Sequence, residues 1–398
     1  MDITIYPGKL SGSVAAIPSK SQAHRLLICA AFSDAPTTLK CPETNQDIEA
    51  TVRCLRALGA SISRTENGYV VHPVTSVPST AEIDCGESGS TLRFMLPILC
   101  ALGVESTIHM SGRLPCRPLS PLWEELIRMG CSLSRPTQTT IHTSGKLLSG
   151  PYSIAGNVSS QYISGLLFAL SLLEEKSNLV ITGKIESKPY IDMTLDALSV
   201  FGVDTAQMQL GGSAPFHSPG NITVEGDWSN AAFYLTAAAL GSSITVENLN
   251  VNSKQGDRFI TELLAMPTAR PRISAANIPD LIPVLSVYFT ANGGAEFTDI
   301  SRLRLKESDR VASVIQLLWS LGIRAESDEN TMRVYGGKLQ GGIVDACGDH
   351  RIAMAAGIAA TIANGPVTIL GADCVTKSYP TFWHEYRRLG GNYEQYIR

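Results

Sequence analysis

The sequence predicts an α/β protein of two domains, each assembled from three similar units. Three observations predict it. A dry, Ala/Leu-rich helix start recurs along the chain, an amphipathic helix with a glycine or proline stop follows each copy, and alternating strand-like stretches fill the gaps. At 398 residues, 44% hydrophobic and 17% charged, the chain has apolar content for two cores.

The helix starts stand at Ser21, Ser90, Ser160, Ser229, Pro279 and Asp349. The steps between them are roughly seventy residues, except about fifty from Ser229 to Pro279. The second helices stop at Leu58-Gly59, Ile127–Gly130, Val200–Gly202, Leu264–Pro267, Leu318–Gly322 and Tyr386–Gly390, since glycine just past an apolar face ends a helix. Stretches such as Gly68–His72 and Thr331–Tyr335 alternate and read as strands. Two helix types imply that the drier one is central and the amphipathic one outer. The fourth unit is short: only residues 267–278 separate Met266 from the next start, so it is expected to lack a hairpin.

Three units per domain place a boundary near Glu225-Gly226-Asp227. Residues 1–17 precede the first helix and are expected to complete the C-terminal domain. The expected division is therefore 18–227 for the N-terminal domain, and 1–17 with 228–398 for the C-terminal one. Pro18–Lys20 then becomes a second crossover, and two short crossovers imply domains that hinge.

A net charge of −4 gives no basic balance pointing to nucleic acid. The nine cysteines are odd in number and form no C-x-x-C pair, which favours reduced thiols in a cytosol. The start, MDITIYPGKL, has no apolar signal region, and runs such as 163–173 are too short to span a bilayer. We expect a cytoplasmic monomer without membrane partners.

The densest chemistry at a helix start is Pro18-Ser19-Lys20-Ser21-Gln22-Ala23-His24-Arg25. Ser19 or Ser21 can cap the helix, and Ser21 and Arg25, four apart, share a face. Free N–H groups, a hydroxyl, a Lys and an Arg make an anion site; a capped surface helix with solvated cations fits this stretch equally well. Arg25, Arg93 and Arg351 occupy the repeated start, Arg117 precedes an outer helix, and the run Arg302–Arg310 is the densest charge cluster. If the starts converge they focus positive potential on a ligand with more than one anionic group. Ser88-Gly89-Ser90-Thr91 and Ser159-Ser160-Gln161 add small donors. Neither a P-loop nor G-x-G-x-x-G is present, so no nucleotide cofactor is indicated. Asp280, in an apolar run, and Glu307, between Lys306 and Arg310, are either ion-paired carboxylates or a positioned acid and base. Cys116 beside Arg117 is either a nucleophile or a packing residue.

With these residues in place, the chain resembles the 5-enolpyruvylshikimate-3-phosphate synthase family over essentially its whole length. The matching stretches are Ser19-Lys20-Ser21 with Arg25, Gly86-x-Ser88-Gly89-Ser90-x-x-Arg93, Arg117-Pro118, Ser159-Ser160-Gln161 and Ser187-Lys188-Pro189-Tyr190. They continue with Glu225-Gly226-Asp227, Ile278-Pro279-Asp280, Lys306–Arg310, Asp349-His350-Arg351 and Lys377. The resemblance implies two domains of three βαβαββ-type units, each an inside-out α/β barrel around buried helices, with the active site in the cleft that closes on substrate. It implies transfer of the enolpyruvyl group of phosphoenolpyruvate to the 5-hydroxyl of shikimate 3-phosphate, with no metal and no organic cofactor.

The same resemblance assigns roles. Lys20 meets both substrates and donates a proton, Asp280 is the base for the 5-hydroxyl, and Glu307 handles the proton at C3. Shikimate 3-phosphate falls to Lys20, Ser21, Arg25, Ser159, Ser160, Gln161, Ser187, Asp280, Arg302 and Lys306. Phosphoenolpyruvate falls to Lys20, Gly89, Arg117, Gln161, Arg310, Arg351 and Lys377. Glu87, Arg302 and Gly348 stand where the family commonly has Asn. The competing readings are a UDP-N-acetylglucosamine enolpyruvyl transferase, an inactive anion-binding paralogue and an RNA-end cyclase. Cys116 directly adjoins Arg117 with no Gly-rich loop ahead of it, against the first. The retained Lys20, Asp280, Glu307 and Lys377 stand against the second, and the charge balance against the third.

Overall fold

The computed structural model describes residues 1–213, 216–266 and 270–396, so the expected stop at Pro267 lies outside the described residues. The chain divides into two compact units, Pro18–Glu225 and Met1–Ile17 with Gly226–Arg398. The return crossing thus comes two residues earlier than the sequence boundary. Asp227 goes with the second unit because its N–H donates to Ile17 O at 2.8 Å and its side chain caps the helix Trp228–Ala239.

Each unit has its own apolar core. At its centre are the dry helices: Lys20–Ala31, Gly89–Leu102 and Ser160–Ser171 in Pro18–Glu225, and Trp228–Ala239, Ile282–Ala291 and His350–Ala360 in the other. Every residue of His350–Ala360 is buried, as expected of a helix apolar all round. Small residues let these helices approach closely. A Cβ on Gly165 would lie 2.1 Å from the Arg93 carbonyl oxygen, so no larger residue fits between Ser160–Ser171 and Gly89–Leu102. Apart from Ile260–Leu264, the second helices run to turn glycines; Gly59 and Gly322 both take positive φ (101° and 79°), which favours glycine.

One sheet pattern repeats. In Pro18–Glu225 the strands Thr80–Asp84, Glu105–His109, Thr140–Gly145 and Cys131–Thr137 lie in that order, the first pair parallel and the rest antiparallel. The parallel pair flanks the dry helix Gly89–Leu102, as a β-α-β crossover requires. Register aligns Ile83, Ile108 and Ile141 into one wholly buried stripe. Asn221–Thr223, Thr37–Lys40, Gly68–His72 and Ser61–Thr65 repeat the pattern, so the unit's last strand completes its first sheet. Pro151–Ala155, Ser177–Thr182 and Gln209–Leu210 form a three-stranded version.

In the other unit, Arg272–Ser274, Gly294–Thr298, Thr331–Tyr335 and Ala325–Ser327 form one such sheet. Gly342–Asp345, Val367–Leu370, Asp2–Tyr6 and Asn392–Tyr396 form another, into which the N-terminal strand is inserted antiparallel on both sides. Among the described residues, Ser11–Ala15 and Ser243–Glu247 form a two-stranded parallel sheet. Among the described residues this fourth repeat carries no hairpin, as its short spacing implied.

Candidate active site

In Pro18–Glu225, Ser19 is the cap of the first helix; its Oγ accepts the Gln22 N–H at 3.4 Å. Lys20 is therefore the first helical residue, and its Nζ lies 2.8 Å from Asp47 Oδ2. Asp47 stands in the first turn of the helix Gln46–Ala57, where the helix dipole favours a carboxylate. Arg25 is buried. Its Nη1 donates to Ser21 O at 2.6 Å, its Nε to Thr194 Oγ1 at 2.8 Å and its Nη2 to Tyr190 O at 2.8 Å. Its guanidinium thus ties the Ser21 turn to the helix Lys188–Val200, which follows Ser187. Ser187 is buried and left-handed (φ 54°).

The Gly89 turn gathers several predicted residues. Ser88 caps the helix Gly89–Leu102. A Cβ on Gly89 would come 2.7 Å from Nη1 of both Arg117 and Arg93, so two guanidiniums press on this glycine. Arg93 is held by Gly89 O at 3.1 Å and Pro118 O at 3.2 Å. Ser159 caps the third dry helix, which starts at Ser160, and Gln161 Nε2 donates to Ser90 Oγ at 2.9 Å. Gly89, Arg117, Ser159, Ser160 and Gln161 therefore meet around two adjacent helix N-termini. Glu87 leans over Gly112, where a Cβ would collide with its carboxylate. Cys116 is exposed at the end of the short turn Leu114–Cys116.

In the other unit the centre is Arg310. It is wholly buried and forks to three carboxylates: Asp280 Oδ1 from Nη1 at 2.8 Å, Glu307 Oε2 from Nη2 at 2.7 Å, and Asp349 Oδ2 from Nε at 3.0 Å. Asp280 Oδ2 also meets Arg351 Nη2 at 3.1 Å, and Lys306 Nζ stands 3.7 Å from Asp280 Oδ1. Asp280 precedes the helix Ile282–Ala291 by two residues and does not cap it, which frees both oxygens for cations. Asp309 caps the helix Arg310–Ser320, and Asp349 caps His350–Ala360 while also pairing Arg310. Lys377 is buried at the end of the turn Ala372–Lys377. Arg302 lies in the turn Ser301–Leu305, near enough to Lys306 to disfavour its charge. Gly348 is left-handed (φ 65°), a conformation that Asn and glycine both accept, so this departure from the family keeps the turn.

Burial alone would raise Asp280, but Arg351, Lys306 and Arg310 outweigh it and hold the carboxyl well below the usual range. Burial lowers Lys306 to about 8, although Asp280 opposes it. Burial likewise works against the Arg310 charge, and Asp349, Glu307 and Asp280 overturn that. One acid here was missed from sequence. Asp257, fully buried, accepts from Ser229 Oγ, and Arg351 Nη1 donates to Ser229 O at 3.4 Å. Burial first, then Asp280, push Asp257 up to about 7. Only the equivalence of Ser229 to Ser21 in the repeat hinted at this corner; Asp257 lies in the short 3-10 turn Gly256–Phe259, which carries no motif. Asp47 was missed likewise.

The fold is that of enolpyruvyl transferases. The enolpyruvyl transferase NikO of Streptomyces tendae superposes with a TM-score of 0.74 over 99% of this chain and 98% of its own, at 16% identity, a likeness of fold alone. An EPSP synthase structure from Acinetobacter baumannii superposes with a TM-score of 0.79 at 25% identity, covering 99% of each chain. The family description EPSP synthase (3-phosphoshikimate 1-carboxyvinyltransferase) matches residues 5–386. Proteins named 3-phosphoshikimate 1-carboxyvinyltransferase are 37% identical in Clostridium botulinum (strain Eklund 17B / Type B) and 38% in Clostridium perfringens (strain ATCC 13124), each alignment covering 98% of both chains. The chain belongs to the EPSP synthase family.

Proposed function

We infer that this protein is a 3-phosphoshikimate 1-carboxyvinyltransferase. It moves the enolpyruvyl group of phosphoenolpyruvate to the 5-hydroxyl of shikimate 3-phosphate and releases phosphate. The observation that carries the reading is the cage of Asp280, Lys306, Glu307, Arg310 and Arg351, which places two carboxylates among three cations.

The reaction needs a base, an acid at carbon and compensation for two polyanions. The 5-hydroxyl oxygen bonds to C2 of phosphoenolpyruvate as Asp280 takes its proton, and C3 gains a proton through Lys20 or Glu307. The tetrahedral intermediate then loses phosphate, and a C3 proton returns to the enzyme, so atoms balance. Asp280 is a weak base while Arg351, Lys306 and Arg310 neutralise it. Phosphoenolpyruvate competes for Arg351 and shikimate 3-phosphate for Lys306, which lowers the positive field at Asp280 and raises its basicity when the substrates are present. Arg117, Arg351 and Lys377, with the Gly89 turn, hold phosphoenolpyruvate; Arg310, caged by three carboxylates, acts by holding Asp280 and Glu307. Ser159, Ser160, Gln161 and Ser187, with Ser21, Arg302 and Lys306, hold shikimate 3-phosphate, and Arg25 shapes that set by bracing the Ser21 and Tyr190 backbone. The reading requires residues of both units to serve one substrate pair, and placing the two together supplies much of the rate. One chain carries both sets, which supports a monomer, and nine unbridged cysteines support a reducing cytoplasm.

The test is phosphate release by the purified chain. Release is expected only when shikimate 3-phosphate and phosphoenolpyruvate are both present. Silence with that pair but turnover with UDP-N-acetylglucosamine would overturn the assignment.

A further inference from the structure

His24 lies one turn beyond Lys20 and is wholly buried, yet the mechanism above does not use it. It starts a chain of polar contacts. His24 Nδ1 is 2.7 Å from Thr51 Oγ1, Thr51 Oγ1 is 2.8 Å from Thr91 Oγ1, and Thr91 Oγ1 donates to Ser88 Oγ at 2.8 Å. Thr91 Oγ1 also stands 3.5 Å from Asp47 O. Ser88 is the cap of the Gly89 helix and accepts the Thr91 N–H as well, at 3.3 Å. His24, Thr51, Thr91 and Ser88 are all buried, and His24 Nε2 has no hydrogen-bond partner.

Counting protons orders the chain. Burial holds His24 neutral, its pKa near 3, so one ring nitrogen carries a hydrogen. If that were Nε2, a buried N–H would go unsatisfied; if it is Nδ1, only a lone pair does. An orphaned N–H is the rarer and costlier of the two. The assigned order therefore runs His24 to Thr51 to Thr91 to Ser88, each hydroxyl accepting once and donating once along the chain, an arrangement in which the bonds polarise one another. The Ser88 proton is left at the helix start, beside Gly89.

We propose that His24, Thr51 and Thr91 are positioning residues that fix the Ser88–Gly89–Ser90 turn and so set the affinity for phosphoenolpyruvate. The chain spans three helices: His24 shares one with Lys20, Thr51 shares the next with Asp47, the Lys20 counterion, and Thr91 opens the third beside Gly89. A Leu at position 24 would pack without an orphaned nitrogen, so stability alone does not call for a histidine there. None of His24, Thr51, Thr91 and Ser88 belongs to the set assigned to shikimate 3-phosphate, so the effect on that substrate should be the smaller one. The inference rests on the reading of the Gly89 turn as the phosphoenolpyruvate site.

The experiment is steady-state kinetics on the full chain with both substrates varied. Thr51→Val and Thr91→Val should each raise KM for phosphoenolpyruvate about three- to tenfold, the factor that one lost buried hydrogen bond gives, with kcat and the other KM within about twofold. Combining them should add little, since both cut one chain. Thr51→Ser, which keeps the hydroxyl, should restore the wild-type value. Folded variants with unchanged phosphoenolpyruvate KM, or with both KM values raised alike, overturn the inference. If the valine variants do not fold, Thr91→Cys carries the same test, because it keeps the volume and weakens the bond. Wild-type protein that does not turn over the pair overturns the functional reading and this inference with it; active wild type with unmoved variants overturns this inference alone.

Discussion

Asp280 is shared between two buried arginines: Oδ1 lies 2.8 Å from Arg310 Nη1, and Oδ2 lies 3.1 Å from Arg351 Nη2. The carboxylate is thereby oriented by both oxygens, and the cations around it hold it well below the usual carboxylate range. Asp280→Asn keeps the shape and removes the proton acceptor. We expect kcat to fall about 10²- to 10⁴-fold, the usual worth of a positioned base. The KM for phosphoenolpyruvate should not rise, since one competing negative charge is gone. Steady-state phosphate release reads both constants, and an unchanged kcat removes Asp280 from the mechanism.

Arg310, which the family resemblance assigns to phosphoenolpyruvate, is met by three carboxylates of its own unit. With no exposed side-chain surface and three carboxylates around it, its removal leaves buried charges unpaired. Arg310→Met is expected to cost about 3–5 kcal/mol of stability, measured by denaturant unfolding. Arg310→Lys should recover little of this, because one ammonium cannot fork to three partners. A methionine variant as stable as wild type would show that the cage contributes nothing to the fold.

Much of this was legible in the chain. The six helix starts were visible because their caps and small residues recur, as Ser19, Ser88, Ser159 and Asp349 do. The missing hairpin was visible as a missing length. Partners distant in sequence were not. Nothing marks Asp47 as the counterion of Lys20, or Asn221–Thr223 as the neighbour of Thr37–Lys40, since both pairings are set by packing of whole units. The run Lys306–Arg310 advertised charge, but which cations face ligand and which are already neutralised depends on Asp280 and Asp349, brought in from elsewhere.

Asp257 gives a pH test. Its folded pKa of about 7 lies above the ordinary 3.8, mainly through burial and then through Asp280. Between these values the folded state holds a proton that the unfolded chain gives up. The stability that this contributes is fully present below about 3.8 and is lost as pH rises through about 7. Asp257→Asn removes the titration and nearly keeps the shape. Relative to wild type the variant should gain stability from pH 5 to pH 8, by at most about 1.4 kcal/mol per pH unit. Parallel melting curves of the two proteins across that range would show that Asp257 is not a buried, titrating acid.

Gly89 lets affinity be separated from stability. An added Cβ would sit 2.7 Å from Nη1 of Arg93 and of Arg117. Both atoms end flexible side chains, and Gly89 itself is helical, so Gly89→Ala is expected to fold with little loss: the helix gains propensity while the guanidiniums shift. The shift falls on the group assigned to phosphoenolpyruvate. A bidentate guanidinium contact is sensitive to displacements of a fraction of an ångström, so its KM should rise at least about tenfold. Shikimate 3-phosphate, assigned to the Ser159–Gln161 turn and to Ser187, should keep its KM within about threefold, because neither displaced guanidinium is among the groups assigned to it. Kinetics with each substrate varied in turn decide it. Equal changes in both constants would mean that the Gly89 turn serves the whole site and not phosphoenolpyruvate in particular.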